Sequence, residues 1–144
     1  MNSRRSSTAA GVVLLLTIGF VAAPTWSADA PEDAAQAAAE SWLKLVDAEQ
    51  YGESWDGAAP LFEGAVTREQ WIQAASGVRG PLGTLESRKI SSRKYTDQLP
   101  GAPDGKYVVL QFDAVYENKS SAVETVTPML DEDGVWRVSG YFIK

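Results

Sequence analysis

The hydrophobic pattern of this chain changes period once, near Gly83, and this change is the strongest constraint on its fold. Before Gly83, apolar residues recur at spacings of three and four, which is typical of helices with one buried face. After it, apolar and polar residues alternate, which is typical of strands with one buried face. Helices followed by strands indicate the α+β class, in which helices pack on one face of an antiparallel sheet.

The first well-marked helix is predicted from about Glu32 to Glu49, with Pro31 in its first turn, where the missing N–H of proline is harmless. Its buried face is predicted to consist of the apolar positions Ala35, Ala38, Ala39, Trp42, Leu45 and Val46. After this helix, closely spaced glycines and Pro60 allow at most a short helix over residues 51–59.

The next well-marked helix is predicted to begin at Thr67, because Thr67-Arg68-Glu69-Gln70 has the pattern of a capping box. Gly80-Pro81 is predicted to end it. Its predicted buried face consists of Trp71, Ala74, Ala75 and Val78. Because Trp42 and Trp71 lie on apolar stripes, both are predicted to be core residues.

Four strands are predicted over residues 84–95, 108–116, 122–130 and 135–143. The connections at residues 118–121 and 131–134 are short and polar, so consecutive strands are expected to pair as antiparallel neighbours. On the fourth strand, Trp136, Val138 and Phe142 are predicted to face the core. The predicted fold is therefore a set of N-terminal helices packed on a four-stranded antiparallel meander sheet.

The first thirty residues have the pattern of an export signal. Arg4 and Arg5 precede an apolar run over residues 11–23, and small residues follow at 27–30. This run is shorter than the roughly 20 apolar residues that a membrane-spanning helix needs, and its basic start is typical of secretory signals. We predict a signal peptide over residues 1–28 and a single domain over residues 29–144. The mature protein is expected to be periplasmic or secreted, with no stable membrane anchor.

The composition restricts the chemistry that the chain can perform. It contains no histidine and no cysteine, which excludes the metal sites, thiol nucleophiles and catalytic triads that depend on those residues. We predict no metal site, no cofactor and no catalytic residue. The acidic stretch Asp131-Glu132-Asp133-Gly134 lacks the ligand spacing of an EF-hand, so we interpret it as a hairpin turn.

The charge of the chain argues against polyanionic partners. The net charge is −6, and it becomes −8 when the signal peptide with its two arginines is removed. Such a domain repels nucleic acid, so no nucleic-acid partner is predicted. A local basic group is interpreted as solvated charge along an exposed strand, where it discourages pairing with other strands: Arg79, Arg88, Lys89, Arg93 and Lys94.

Several short motifs carry a family resemblance that covers nearly all of the mature chain. They are AAESWL at residues 38–43, RGPLG at 79–83, LPGAPDGKY at 99–107, VETVT at 123–127 and WRVSGYFI at 136–143. With these motifs the chain resembles the bacterial family called domain of unknown function 4019. The order of its elements also resembles cystatin-like and NTF2-like folds, whose sheet wraps around a long helix and can leave an open pocket. The family resemblance implies a secreted α+β domain and no particular reaction.

Three residues are predicted to contact a ligand. Trp55 lies between two glycines, where a short helix could form one lip of a pocket, and Tyr116 and Arg137 lie on strands that could line it. NTF2-like enzymes place an acidic base and a tyrosine donor inside such a cone. The corresponding set here is Asp113, Tyr116, Glu124, Arg137 and Tyr141. The competing interpretation is that these are solvated strand residues with cross-strand pairing of glutamate and arginine.

The function that we expect from the sequence is non-catalytic. The chain is interpreted as an exported accessory domain that binds a small molecule or a protein of the cell envelope. One alternative is an NTF2-like enzyme that works without metal or histidine. Another is a structural module that forms a homodimer through the open face of its sheet, where Val109 and Val115 are expected to be exposed.

Overall fold

Four helices precede four strands in the computed structural model, which describes residues 30–144. The helices are α1 (Pro31–Asp47), α2 (Tyr51–Asp56), α3 (Pro60–Ala65) and α4 (Arg68–Leu82), and the strands are β1 (Leu85–Thr96), β2 (Tyr107–Tyr116), β3 (Lys119–Leu130) and β4 (Trp136–Ile143). The strands pair antiparallel in the order β1-β2-β3-β4. The predicted α+β meander is therefore confirmed. The predicted signal peptide lies outside the described residues, among which no helix is long and apolar enough to cross a membrane.

Helix α1 lies across the inner face of the sheet and contacts all four strands. Its buried residues are Ala35, Ala39, Trp42, Leu43 and Val46. Four of these were expected from the helical spacing. Leu43 takes the place of Ala38 and Leu45, which are only half-buried, because the sheet contacts a slightly different side of the helix than the apolar stripe alone indicates.

The C-terminus of α1 is closed by a Schellman motif. The Gln50 N–H donates to the Leu45 carbonyl at 2.9 Å, and the Glu49 N–H donates to the Val46 carbonyl at 3.1 Å. The motif requires a left-handed residue after the helix, a position where glycine is favoured. Here Glu49 occupies it with φ of 60°. The turn between α1 and α2 therefore contains backbone strain.

Replacing Glu49 with glycine is expected to raise the free energy of unfolding by about 1 kcal/mol, because glycine adopts positive φ without a steric penalty. The matched control is Ala37→Gly, at an exposed position inside α1, which is expected to lower stability by about 1 kcal/mol. Urea denaturation of both variants measures the two effects. A loss of stability on Glu49→Gly would show that the glutamate side chain itself stabilises the turn.

Helix α4 begins with the predicted capping box. The Gln70 N–H donates to Thr67 Oγ1 at 3.2 Å, and the Thr67 N–H donates to Gln70 Oε1 at 3.0 Å. The helix ends two residues later than predicted, with Pro81 in its last turn, and Gly83 adopts φ of 74° beyond it.

The buried face of α4 differs from the prediction. Trp71 and Ala75 are buried as expected, but Ala74 is exposed and the Val78 residue is 47% exposed. The third buried residue is Arg79. Residues four apart lie nearly above one another on a helix, so the buried stripe of α4 reaches the arginine and leaves the valine in solvent.

Strand β4 contains an irregularity that reverses its faces. Thr127 pairs with Gly140 and Pro128 pairs with Val138, so Ser139 is an extra residue on β4. A one-residue bulge moves the following side chains to the opposite face. Val138 faces the core as predicted, whereas Tyr141 replaces Phe142 on the inside and the Phe142 residue is 54% exposed.

The turn between β2 and β3 and the exposure of the outer face of the sheet also differ from the prediction. The third strand begins at Lys119, so the connection from β2 is a two-residue turn at 117–118 rather than the expected 118–121. On the outer face, Val109 and Val115 are half-buried rather than exposed. This face exposes the apolar side chain of Phe142, which lies opposite Thr125.

Aromatic side chains fill the space between the helices and the sheet. The ring centroids of Trp42 and Trp71 lie 5.7 Å apart, and Phe62 and Tyr141 pack against both rings. The predicted core positions of the two tryptophans are confirmed. Trp42 Nε1 donates to the Ser54 carbonyl and Trp71 Nε1 to Ser54 Oγ, so the polar groups of these rings are hydrogen-bonded as burial requires.

Candidate functional site

Five polar side chains meet in the interior beneath the C-terminal end of α1. They come from five different elements and are Asp47 of α1, Arg79 of α4, Arg88 of β1, Glu124 of β3 and Tyr141 of β4. We call this set the charge cluster. It contains two guanidinium groups and two carboxylates, so its charges balance.

Arg88 binds both carboxylates of the charge cluster. Its Nη1 and Nη2 donate to Asp47 Oδ2 and Oδ1 at 2.6 and 2.9 Å. Its Nε and Nη2 donate to Glu124 Oε1 and Oε2 at 2.8 and 3.2 Å. Paired contacts of this kind match the planar fork of arginine, and lysine could not reproduce them. Arg88 therefore links β1 to both α1 and β3.

Arg79 joins the same carboxylates from the helical side. Its Nη2 donates to Asp47 Oδ1 at 2.6 Å, and its Nη1 lies 3.7 Å from Glu124 Oε2. The Tyr141 hydroxyl accepts from Arg79 Nη1 at 3.3 Å and donates to Glu124 Oε2 at 2.7 Å. The Arg79 guanidinium also lies 5.0 Å from the centroid of the Tyr116 ring, a cation–π contact.

Burial makes these contacts strong and their loss costly. The Glu124 side chain is 0% exposed and that of Arg79 is 6% exposed, so neither charge is solvated by bulk water. Burial alone would raise the pKa of Asp47, but hydrogen bonds from Arg88 and Arg79 hold that pKa below its ordinary value of 3.8. Although burial alone would lower it, the pKa of both arginines is raised: hydrogen bonds to Asp47 and Tyr141 raise the pKa of Arg79, and hydrogen bonds to Asp47 and Glu124 raise that of Arg88.

Two tyrosines of the site are kept neutral. Burial and the negative charge of Glu124 raise the pKa of Tyr116 to about 12. The same two causes raise the pKa of Tyr141 above its ordinary value of 10. The Tyr116 hydroxyl is buried and has no hydrogen-bond partner among the described residues, which is uncommon in folded proteins.

The charge cluster corrects the predicted role of the basic residues. Lys89, Arg93 and Lys94 are exposed as expected, but Arg79 and Arg88 are internal. Strand alternation places Arg88 on the same inward side as Ile90, and the buried carboxylate of Glu124 compensates its charge there. Similarly, the interpretation of Glu124 as a solvated cross-strand residue is wrong, although its pairing with arginine is real.

The three predicted ligand-contacting residues are not brought together. Trp55 packs against the core, and its Nε1 donates to the Val66 carbonyl at 2.8 Å. Tyr116 is buried beneath Arg79. Arg137 closes the β3–β4 hairpin, where it binds Asp131 at 2.7 Å and Asp133 at 2.9 Å.

The alternative catalytic set is only partly assembled. Glu124, Tyr141 and Tyr116 are neighbours inside the domain. Asp113 is exposed on the outer face of the sheet. Arg137 is held by the hairpin carboxylates. Sequence reasoning missed Asp47, whose position gave a signal: a carboxylate at a helix C-terminus is disfavoured by the helix dipole, so it requires a cationic partner elsewhere.

A cleft with a volume of about 940 Å³ lies among the described residues, away from the charge cluster. We call it the hairpin cleft, because it lies between α2, α3, the β1–β2 loop and the β3–β4 hairpin. Its apolar lining residues are Ala58, Pro60, Leu61, Met129 and Leu130. Its charged lining residues are Asp56, Glu63, Asp104, Lys106, Asp131, Glu132, Asp133 and Arg137. Six carboxylates therefore face two cations.

Two carboxylates of the hairpin are paired with an arginine of the same hairpin. In the part of the chain that the structure describes, no group of three or more acidic, histidine or cysteine side chains could hold a metal ion. The turn at Asp131–Gly134 instead directs two carboxylates to Arg137, and Gly134 adopts the positive φ of a tight turn. This geometry agrees with the predicted hairpin turn.

Fold and site together define a small α+β domain built around an internal, charge-balanced ion network. The chain belongs to the family described as protein of unknown function (DUF4019), whose family model matches residues 38–141. The matched region contains all members of the charge cluster. No curated protein matches the chain.

Proposed function

We propose that this protein is an exported, non-catalytic binding domain of the cell envelope, and that the hairpin cleft receives a positively charged segment of a partner protein. The observation that carries the proposal is the cleft itself. Its volume of about 940 Å³ lies at the upper end of the roughly 300–1,000 Å³ typical of ligand sites. We also propose that the fold is related to the cystatin-like and NTF2-like folds, since a long helix, α1, crosses one face of a four-stranded antiparallel sheet.

The lining of the cleft favours a cationic and partly apolar partner. Ala58 is buried and Leu61, Met129 and Leu130 are half-buried, so they form the floor. Most of the carboxylates lie at the exposed rim. An apolar floor contributes affinity through burial, and an acidic rim increases the rate of association with positively charged partners.

The charge cluster supports a structural role for the buried polar residues. A general base must come within hydrogen-bond distance of a substrate, whereas the Glu124 side chain is 0% exposed and accepts hydrogen bonds from Arg88 and Tyr141. The cluster connects α1, α4, β1, β3 and β4. It can therefore hold α1, α4 and the sheet in a fixed relation.

The test is a titration with a lysine-rich peptide and with the same peptide carrying glutamate in place of lysine. We expect the basic peptide alone to bind, and to bind more weakly at high salt. Glu63→Gln and Glu132→Gln should each weaken binding by up to about fivefold, the range for exposed charge pairs. Glu69→Gln, at an exposed position of α4 outside the cleft, is the matched control. Equal binding of both peptides would overturn the proposal.

The second candidate is a homodimer formed through the outer face of the sheet. It is favoured by Phe142, a large apolar side chain that is 54% exposed on that face. Analytical ultracentrifugation distinguishes the candidates. A mass that doubles with protein concentration and returns to the monomer value in Phe142→Ser would support the dimer, and a constant monomer mass would exclude it.

A further inference from the structure

A second cleft, separate from the hairpin cleft, opens where the C-terminal ends of α1 and α4 meet. Its volume is about 370 Å³, and its lining includes Asp47, Glu49, Tyr51, Arg79 and Glu117. We call it the helix-end cleft. Its size is at the lower end of ligand sites in proteins, so it suits a molecule much smaller than a peptide segment.

The deepest charged group of this cleft is a cation with unused donors. Arg79 donates hydrogen bonds to Asp47 and Tyr141 among the described residues, whereas a guanidinium carries five N–H groups. A buried arginine with unused N–H groups is suited to hold a carboxylate. Its guanidinium is planar and can donate two parallel hydrogen bonds, and the cation has already lost its hydration shell on folding.

Tyr51 adds a second unused donor to the lining of this cleft. The residue is only 8% exposed and lines the cleft, yet its hydroxyl has no hydrogen bond to any part of the chain that the structure describes. Burial and the nearby Glu49 raise its pKa, and Arg79 and Asp47 also act on it electrostatically. The hydroxyl therefore lies among the charged groups of the cleft and stays protonated, able to donate to an anion.

The charge reverses toward the mouth of the cleft. Glu49 and Glu117 are both exposed, and Glu49 is held there by the left-handed backbone at φ of 60°. A purely anionic ligand would be repelled by these carboxylates, and a purely cationic ligand would leave the unused donors of Arg79 and Tyr51 without an acceptor. A molecule with an anionic end directed inward and a cationic end directed outward complements both the donors inside the cleft and the carboxylates at its mouth.

We propose that the helix-end cleft binds a small zwitterion that carries a carboxylate and an ammonium group a few bonds apart, such as a free amino acid. Arg79 and Tyr51 hold the carboxylate, and Glu49 and Glu117 hold the ammonium group. This site is independent of the proposed function of the hairpin cleft. It also accounts for the strained glutamate, since glycine would form the same turn without supplying a carboxylate.

The proposal is tested with the whole mature chain. Each common L-amino acid is offered singly in thermal shift measurements, and those that raise the melting temperature are titrated by calorimetry. For each one that binds, the carboxylic acid that lacks the amino group and the amine that lacks the carboxyl group are the matched ligand controls. We expect saturable binding of at least one amino acid and at least tenfold weaker binding of both controls.

Three conservative variants test the assignment of residues: Tyr51→Phe, Glu49→Gln and Glu117→Gln. Each keeps the size of the side chain, and we expect each to weaken binding roughly tenfold, which corresponds to the loss of about 1.4 kcal/mol. Glu69→Gln, at an exposed position of α4 that lines neither cleft, should bind the amino acid as the wild type does. Unchanged affinity in all three variants, or equal binding of the acid without its amino group, would overturn the proposal. If no amino acid binds while the basic peptide still does, only the helix-end cleft proposal fails.

Discussion

Replacing Glu124 with glutamine is expected to lower the free energy of unfolding by about 3–5 kcal/mol, the range observed when one partner of a buried ion pair is removed. The substitution keeps the shape of the side chain but removes its charge. Arg79 and Arg88 would then share a single carboxylate, Asp47, in a region where the Arg79 side chain is 6% exposed. An uncompensated guanidinium remains in the interior.

The matched control for this variant is Asp113→Asn. Asp113 lies on the neighbouring strand β2, and its replacement with asparagine also removes one carboxylate charge. Because Asp113 is exposed on the outer face of the sheet, we expect the free energy of unfolding to change by no more than about 0.5 kcal/mol. Urea denaturation of both variants compares the same loss of charge inside and outside the domain. A loss below about 1 kcal/mol for Glu124→Gln would show that the interior solvates Arg79 and Arg88 without the glutamate.

A double replacement separates the charge effect from packing. Arg88→Met combined with Glu124→Leu removes one charge of each sign and leaves Asp47 paired with Arg79. We expect the double variant to be more stable than the sum of the two single changes predicts, because replacing both members of a buried pair avoids the uncompensated charge. Additive losses would contradict direct coupling between Arg88 and Glu124.

The architecture of this domain could be predicted because it depends on patterns that are local in the sequence. The spacing of apolar residues located α1 and α4, the capping box located the start of α4, and alternation located the strands. Trp42 and Trp71 were identified as core residues for the same reason. Each of these features depends on which side of one element is apolar, and a single stretch of sequence contains that information.

The charge cluster could not be predicted from such patterns, since its members are far apart in sequence. Asp47 and Glu124 reach the same arginines only when α1 crosses the sheet, and charged residues are assigned to the surface unless a partner is known. For this reason the sequence placed Val78 inside and Arg79 outside, the reverse of the observed arrangement. Phe142 was misplaced for a different reason: the bulge at Ser139 reverses the strand faces without an obvious sequence signal.

Alkaline pH is expected to destabilise the domain through its buried tyrosines. The pKa of Tyr116 is raised to about 12 in the folded protein, while the unfolded chain has the ordinary value of 10. Because the folded pKa is the higher one, the unfolded state loses its proton first as the pH rises. The stabilising contribution is therefore complete below pH 10 and is lost between pH 10 and about 12. For Tyr116 this amounts to about 3 kcal/mol.

Two phenylalanine variants and one control test this expectation. Unfolding free energies are measured in urea at pH about 8 and at pH about 11. Tyr116→Phe should have nearly the same free energy of unfolding as the wild type at the lower pH, because the Tyr116 hydroxyl has no hydrogen-bond partner among the described residues. Between the two pH values it should lose less stability than the wild type. Tyr141→Phe should lose stability already at the lower pH, because its hydroxyl bonds both Arg79 and Glu124. Tyr95→Phe, at an exposed position, should follow the wild type.

The alkaline measurement also reports on the charge cluster as a unit. Arginine stays protonated over this range, so Arg79 and Arg88 keep their charges while Tyr141 faces Glu124. A tyrosinate at Tyr141 would lie 2.7 Å from a carboxylate oxygen, and the resulting repulsion can be relieved only by unfolding or by opening the cluster. If wild type and Tyr116→Phe lose stability equally between the two pH values, Tyr116 is not held neutral by burial and Glu124, and the hydroxyl must reach water.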